Sequence, residues 1–293
     1  MVIFRPAQEA DLAQMHEVVY LNDVLGVSNP PPLDNTPSNL RHIFQTGVSY
    51  IAEQDDHVLA YASAITRGEV TYLTDLFVRP EQQSSQLGRT LLSYVLPLDG
   101  RIHCTMSSTD YRALALYIRA GMHPAWPHFV LRLERPVRDD VSNSNIEIVE
   151  ASPDDSALIR WDAQVSGRER PQDHEYWIAM QQAVPLWFRR NGQTIGYGYV
   201  RLGAGSFWYP EGCTIGPLGV NAPEDAADCV LAAVNWASKR AKVLFINVLG
   251  PHPSLATLLS KGFRIAYVET FLSTADLPFF DPRCYIASGS DLL

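Results

Sequence analysis

A short polar loop separates an apolar run ending at Val78 from a helical pattern of leucines beginning at Leu87. The run, YLTDLFV, is rich in the β-branched and aromatic residues that strands favour. The leucines recur at the spacing of one helix face. A strand that leads through a short loop into a helix brings unpaired backbone N–H groups and the positive end of the helix dipole to one point. Such a point is suited to bind a phosphate group.

A second stretch with chemical potential is DYRALALYIRAGM, which predicts a helix closed by Gly121 and carrying Tyr117. A phenol has an unperturbed pKa of about 10 and is protonated at neutral pH, so Tyr117 could give a proton to a leaving group. A half-buried structural aromatic is the other interpretation of Tyr117.

Asp75, in the strand before the loop, is the candidate general base for an ammonium. Strict alternation puts Asp75 and Tyr72 on opposite faces of the strand, whereas a β-bulge would change this parity. A carboxylate held by a neighbouring amide or arginine is the alternative interpretation. An acceptor amine of low pKa would need no base.

The composition sets the class of protein. The 293 residues, 46% of them hydrophobic, are enough for two domains with cores. The net charge of -9 argues against a nucleic-acid partner and favours a basic or amine substrate. The four cysteines lie far apart, so we expect neither a metal site nor a disulfide framework. No apolar run is long enough for a membrane span and no signal peptide is present, so we expect a cytoplasmic protein without a membrane partner.

The order of elements occurs twice. IFRPAQEADL is echoed by IVEASPDDSAL, LTDLFV by IGPLGV, and ALALYIRAGM by SLATLLSKGF. The offsets agree, since 220 minus 78 is 142, 258 minus 117 is 141, and 262 minus 121 is 141. We therefore predict an N-terminal domain over 1–135, a linker over 136–145, a second domain over 146–274 and a C-terminal tail over 275–293, which packs across the junction or is frayed.

This order, with VRPEQQSSQLGRTLL and ALALYIRAGM, resembles the GCN5-related N-acetyltransferases (GNAT) in a tandem form. The resemblance implies an α/β fold of two GNAT-like domains, each a twisted mixed β-sheet flanked by helices. The family loop, Q/R-x-x-G-x-G/A, binds the pyrophosphate of coenzyme A, and the strand before it pairs with pantetheine. The residues that the resemblance assigns to the coenzyme are Phe77, Val78, Gln83, Ser84, Ser85, Gln86, Leu87, Gly88, Arg89 and Asp110.

Gln86 departs from the family pattern, because the first glycine of the loop usually stands there. The loop amides can still point at a phosphate if Gln86 adopts helical dihedrals as part of the first helical turn. The family's last helix often reads N-x-x-A-x-x-x-Y-x-x-x-G-F/M, which Asp110, Ala113, Tyr117 and Gly121 match with Asp in place of Asn. The resemblance implies that Tyr117 protonates the departing thiolate and that an amide near Phe77 or Val78 polarises the thioester carbonyl.

We therefore expect transfer of an acetyl group from acetyl-CoA, as co-substrate, to a primary amine of a small molecule that the sequence does not identify. The thioester is expected where the fourth and fifth strands diverge. A non-catalytic tandem protein that binds coenzyme A or a metabolite is the alternative. No feature of the sequence specifies an oligomeric state.

The second copy lacks the catalytic parts. NAPEDAADC has three acids and no glycine, and Leu258 replaces Tyr117. The acids Glu224, Asp225 and Asp228 are expected to oppose a pyrophosphate, so only the N-terminal copy is predicted to be catalytic. The cluster in GRERPQDHEYW is interpreted as a charged helix start with Pro171 at its first position, or as a substrate contact.

Overall fold

The computed structural model describes residues 1–83, 85–134, 145–205 and 207–293. They form two compact units, Met1–Thr105 (unit 1) and Met106–Leu293 (unit 2). Nearly all of the predicted linker lies outside the described residues. In the described ranges, no helix combines the length and the apolar character needed to cross a membrane.

Unit 1 is a five-stranded sheet with helices, in the order β1-β2-β3-β4-β5. β2, β3 and β4 form an antiparallel meander, β1 is antiparallel to β2, and β5 runs parallel to β4. Its elements are β1 (Ile3–Pro6), α1 (Leu12–Asp23), α2 (Ser38–Thr46), β2 (Val48–Gln54), β3 (His57–Arg67), β4 (Val70–Val78), α3 (Leu87–Val95) and β5 (Ile102–Ser107).

Two helices of unit 1, α1 and α3, each bury an apolar face. On α1, Leu12, Met15 and Val18 pack in one core cluster with Ile51 and Tyr61 of the sheet. The leucine pattern of α3 is likewise buried at its predicted positions. Burial of each such side chain contributes about 1.5–3 kcal/mol before entropy is subtracted. These two helices therefore hold β4 and the loop after it in a fixed place.

A β-bulge lies in β4 at Thr74, because the register with β3 shifts between the pairs Ala64↔Leu73 and Ser63↔Asp75. The bulge shifts the alternation of side chains between the two faces of β4, and it lies between Tyr72 and Asp75, where a bulge was considered from the sequence. β4 and β5 pair only from Val70 to Leu73. Beyond the bulge, β4 therefore leaves β5 and opens a gap.

Unit 2 has the sheet order β12-β6-β11-β10-β9-β8-β7, with β13 paired to β10. Its elements are α4 (Tyr111–Arg119), β6 (His123–Glu134), β7 (Glu147–Glu150), α5 (Ser156–Ser166), α6 (Pro171–Gln181), β8 (Ala183–Arg190), β9 (Gln193–Arg201), β10 (Cys213–Val220), α7 (Pro223–Ser238), β11 (Val243–Leu249), α8 (Leu255–Ser260), β12 (Arg264–Ser273) and β13 (Tyr285–Ile286).

The strand predicted to close the N-terminal domain, β6, lies in the sheet of unit 2 between β11 and β12 and is antiparallel to both. The compact unit 1 consequently ends at Thr105, before the repeat boundary predicted at 135. His128 and Glu269 face each other in the β6–β12 pair, and they are 141 residues apart, which is the repeat offset. The last strands of the two copies, β6 and β12, therefore pair with each other, and these equivalent residues of the repeat lie opposite one another.

The repeat is also visible in how two helices end. Met122 N donates to Tyr117 O at 3.1 Å after α4, and Phe263 N donates to Leu258 O at 3.1 Å after α8. Both turns pass through a glycine of positive φ, 91° at position 121 and 95° at position 262. The matching geometry at an offset of 141 supports two copies of one fold.

Candidate active site

The open side of β4 is the first part of the site. In the described part of unit 1, no strand pairs with the end of β4 on the side away from β3. The gap lies where the thioester was expected from the sequence. Main-chain groups that point into it can pair with an extended ligand, as those of a sheet edge do.

The register of β4 selects the amides that point into the gap. Arg79 N donates to Leu59 O at 2.8 Å, and Phe77 is the Cα partner of Tyr61. Because antiparallel pairs alternate, the main-chain groups of Phe77 face β3, and those of Val78 and Leu76 face away from it. Of the amides predicted near the thioester, Val78 is thus on the open side. Sequence reasoning missed Leu76, which counting the alternation back from Val78 would have found.

Asp75 lies just after the bulge, beside two hydroxyl groups. Tyr61 donates from its hydroxyl to Asp75 Oδ1 at 3.2 Å, and Thr74 donates to Asp75 Oδ2 at 2.7 Å. Burial raises the pKa of Tyr61 well above its ordinary value, and the charges of Asp75 and Asp23 raise it further. Tyr61 therefore stays a donor and fixes the orientation of the carboxylate.

The turn into α3 has a left-handed residue at Gln86, with φ 67° and ψ 1°. The helical dihedrals that were considered for Gln86 are therefore not adopted, and α3 begins at Leu87. The family's glycine would adopt this conformation at little cost, whereas a residue with a Cβ loses about 1–2 kcal/mol. The turn has kept a glycine's geometry although the glycine is absent.

Three amides, those of Leu87, Gly88 and Arg89, open α3 and lack helical acceptors, since the first bond of the helix runs from Thr90 N to Gln86 O at 3.2 Å. Leu87 is only 6% exposed, and its side chain belongs to the buried face of α3. The start of α3 thus offers the donors expected for a phosphate.

Asn22, near the end of α1, ties the loop to β4. Its Nδ2 donates to Val78 O at 3.0 Å, and its Oδ1 accepts from Gln83 Nε2 at 3.0 Å. Ser85 donates its hydroxyl to Gln82 O, which is a contact within the loop. Ser84, also predicted to contact the coenzyme, lies outside the described residues. Sequence reasoning missed Asn22 because it is 61 residues from Gln83 and belongs to no motif.

The remaining predicted residues lie in unit 2 on α4. Asp110 caps the helix by accepting from Arg112 N at 2.8 Å, and the Arg112 guanidinium, 2.7 Å away, lowers the pKa of Asp110. Tyr117 is buried, with 6% of its surface exposed. Asp110 thus has a structural role at the start of the helix that carries Tyr117, and the proposed contact of Asp110 with coenzyme A stays a prediction.

The equivalent helix start in the second copy is different. α7 begins with Pro223, which has no N–H to donate. Asp225 and Asp228 both pair with Arg190, the latter at 2.6 Å. Arg190 therefore partly neutralises the acids that were expected to repel a pyrophosphate, and the helix start also lacks the backbone donor of its first residue.

The cluster around Arg170 lies at a charged helix start, as one of its two interpretations held, and its arginines are buried. Pro171 does begin α6 as predicted. Arg170 binds Asp162 through two contacts of 2.7 Å, and both side chains are fully buried. Burial acts to raise the pKa of Asp162, but the Arg170 guanidinium holds it well below its usual range. Arg168 is also buried, and both arginines bind the main-chain oxygen of Leu293.

The described residues contain no group of three metal-ligating side chains. All four cysteines are buried free thiols.

The sequence similarity to a known family lies in the first copy of the repeat. A family model described as the acetyltransferase (GNAT) family matches residues 19–122. No curated protein matches the chain by sequence.

Solved structures resemble nearly the whole chain. A candidate acetyltransferase from Pyrococcus horikoshii has a TM-score of 0.75 at 16% identity, covering 99% of this chain and 95% of its own. A tandem GNAT protein from the clavulanic acid biosynthesis pathway has a TM-score of 0.64 at 14% identity, covering 95% and 100%. A GCN5-related N-acetyltransferase from Sphaerobacter thermophilus has a TM-score of 0.62 at 14% identity, covering 93% and 95%.

At these identities the structural likeness shows the fold, and the family model adds the sequence pattern of the first copy. Members of this family are generally acyltransferases. Residues 19–122 therefore match the acetyltransferase (GNAT) family, and the chain as a whole has the fold of tandem GNAT proteins.

Proposed function

We propose that the protein transfers an acetyl group from acetyl-CoA to a primary amine and that the N-terminal copy carries the reaction. The observation that carries this proposal is the open side of β4, which ends beside a left-handed turn and the free amides of α3. A ligand with an extended amide chain and a pyrophosphate fits such an edge and helix start.

The coenzyme would be held along β4 and at the start of α3. The amide of Val78 pairs with pantetheine, and the amides of Leu87, Gly88 and Arg89 bind the pyrophosphate. The acetyl group comes from the thioester of acetyl-CoA. The left-handed Gln86 fits this assignment, since a strained turn is retained where it orients a binding group.

Groups of the chain itself then stabilise the developing charge and transfer the protons. An amide of β4 polarises the carbonyl oxygen as negative charge develops on it. Asp75, oriented by Tyr61 and Thr74, accepts a proton from the amine. Tyr117 gives its phenolic proton to the sulfur that leaves. The negative net charge of -9 and the carboxylate at the gap favour a cationic acceptor.

Two measurements test the proposal on the full chain. Titration calorimetry should show binding of acetyl-CoA at one site per chain. Addition of a panel of primary amines should then release free thiol, detected with a thiol reagent, and tertiary amines of the same charge should not. Absence of binding would refute the proposed function.

A non-catalytic coenzyme-binding protein is the second candidate, and the burial of Tyr117 is the observation that favours it. A proton donor must reach the departing sulfur, and a side chain 6% exposed has limited access. Tight binding of acetyl-CoA without thiol release across primary amines of varied size and charge would support this candidate.

A further inference from the structure

We propose that the second copy contains a peptide-binding cleft between β10 and β11, and that the chain's own residues Cys284–Ser288 (the internal strand) fill it in place of acetyl-CoA. The inference rests on the proposed function in one respect, namely that the matching gap in the first copy holds the coenzyme.

The two gaps occupy equivalent positions. Pairing of β4 with β5 ends at Leu73↔Thr105, and pairing of β10 with β11 ends at Ile215↔Ile246. The differences, 215 minus 73 and 246 minus 105, are 142 and 141, which are the repeat offsets. Each copy therefore opens its sheet at the same point.

The internal strand pairs with both walls of the second gap. It runs antiparallel to β10 through the pairs Leu218↔Ile286 and Gly219↔Tyr285, and Ala287 bridges to Asn247 on β11. The amide of Val220 donates to Cys284 O at 3.0 Å. Val220 is the repeat equivalent of Val78, whose amide we assign to pantetheine. A peptide carbonyl thus already takes the bond that the coenzyme would take.

A glycine makes room for this peptide. Gly216 is the repeat equivalent of Thr74 in the first copy, since 216 minus 74 is 142. A Cβ at Gly216 would lie 2.4 Å from Ala287 O, and its φ is 133°. Thr74 in the first copy has a side chain that binds Asp75. The second gap is therefore shaped for a close main-chain approach.

Buried arginines anchor the residues around the internal strand. Arg201 donates to Ser288 O, and Arg168 and Arg170 donate to Leu293 O at 2.7 and 2.8 Å. Tyr285 also donates to Leu293 O, at 2.7 Å. Residues 284–289 are all buried, so these main-chain oxygens find their partners inside the protein. Within the predicted tail, residues 284–289 are therefore packed into unit 2, so the alternative of a frayed tail does not hold for them.

The cleft's chemistry suits an extended, uncharged peptide. Its walls offer main-chain groups, and the helix start beside it has Pro223, which lacks an N–H, and two acids paired with Arg190. The ligand class it takes is therefore peptide main chain, supplied here in the same molecule.

Hydrogen exchange of the full-length protein, followed by mass spectrometry, tests this inference. We expect amides of 284–288 and Val220 to exchange at least a hundredfold more slowly than those near Leu277, which is 80% exposed. Gly216→Ala should speed exchange in 284–288 at least tenfold and leave the strands of unit 1 unchanged. Gly192→Ala is the matched control, because Gly192 has φ 78° but no atom within 4 Å of an added Cβ.

Fast exchange of 284–288 in the wild-type protein would overturn the inference, and so would equal effects of the two glycine variants. The wild-type measurement decides the matter even if Gly216→Ala does not fold. Calorimetry separates the two proposals: two acetyl-CoA molecules per chain would refute the filled cleft. No binding together with slow exchange would refute the proposed function and leave the filled cleft standing.

Discussion

Replacing Gln86 by glycine should stabilise unit 1, because Gln86 holds a left-handed conformation with φ 67°. Removing the Cβ from a residue in this left-handed region stabilises the folded state by about 1–2 kcal/mol. The greater freedom of glycine in the unfolded chain offsets about 0.5–1 kcal/mol of that gain. The net expectation is a stabilisation of about 0.5–1 kcal/mol, which for a unit of this size corresponds to a rise of roughly 2–8 °C in Tm.

The position of the tryptophans provides an internal control. All six tryptophans lie between 126 and 236 and therefore in unit 2. Tryptophan fluorescence during denaturation follows unit 2 and should be unchanged by Gln86→Gly. Hydrogen exchange in the peptides of β2, β3 and β4 follows unit 1 and should slow by about two- to fivefold, as 0.5–1 kcal/mol requires.

Gln86→Ala separates backbone strain from side-chain contacts. Alanine keeps the Cβ and hence the strain, so this variant should remain close to the wild-type protein in stability. Equal stability of the glycine and alanine variants would refute the assignment of strain to this turn. Since the glycine variant keeps the amides of α3 in place, its affinity for acetyl-CoA should equal or exceed that of the wild-type protein.

Other substitutions test the chemistry and the packing. Tyr117→Phe should lower kcat about a hundredfold with little change in KM for acetyl-CoA, and unchanged turnover would remove Tyr117 from the mechanism. Asp75→Asn should lower kcat/KM for the amine about a hundredfold near neutral pH, and the deficit should shrink at high pH, where the free amine predominates; a constant deficit would argue against a base. Asn22→Ala breaks two hydrogen bonds and should weaken acetyl-CoA binding about tenfold by calorimetry, whereas unchanged affinity would make Asn22 structural only. Burial lowers the pKa of His252 from 6.5 to about 4, so neutral His252 stabilises unit 2 fully above pH 6.5, and about 3 kcal/mol is lost as the pH falls from 6.5 to 4. Urea denaturation followed by tryptophan fluorescence should show this loss in the wild-type protein and a smaller one in His252→Gln.

Local patterns predicted the elements of the fold well. The leucine spacing predicted a helix beginning at Leu87, and α3 runs from Leu87 to Val95. Such patterns succeed because the face of a helix is set by residues three and four apart. The offsets of 141 and 142 predicted the duplication, and the helix ends at Gly121 and Gly262 show the same turn.

Contacts and strand pairings between residues that are far apart in the sequence could not be predicted from local patterns. The alternation in β6 is the same whether the strand pairs within its own copy or between β11 and β12, so its position in unit 2 leaves no local signal. Asn22 joins the loop from 61 residues away. A left-handed glutamine could not be foreseen either, since only the neighbouring structure imposes that conformation on a residue with a Cβ.

The sheet opens at equivalent residues in the two copies, but the main-chain groups at the opening have different partners. In both, the fourth strand leaves the fifth at equivalent residues, and the main-chain groups of the fourth strand then need partners. At Val220 the partner is Cys284 O of the same chain. At Val78 the carbonyl is met by Asn22, and the amide remains on the open side. Because the need for partners comes from the backbone, these groups require partners whatever fills the opening, and the internal strand provides them in the second copy.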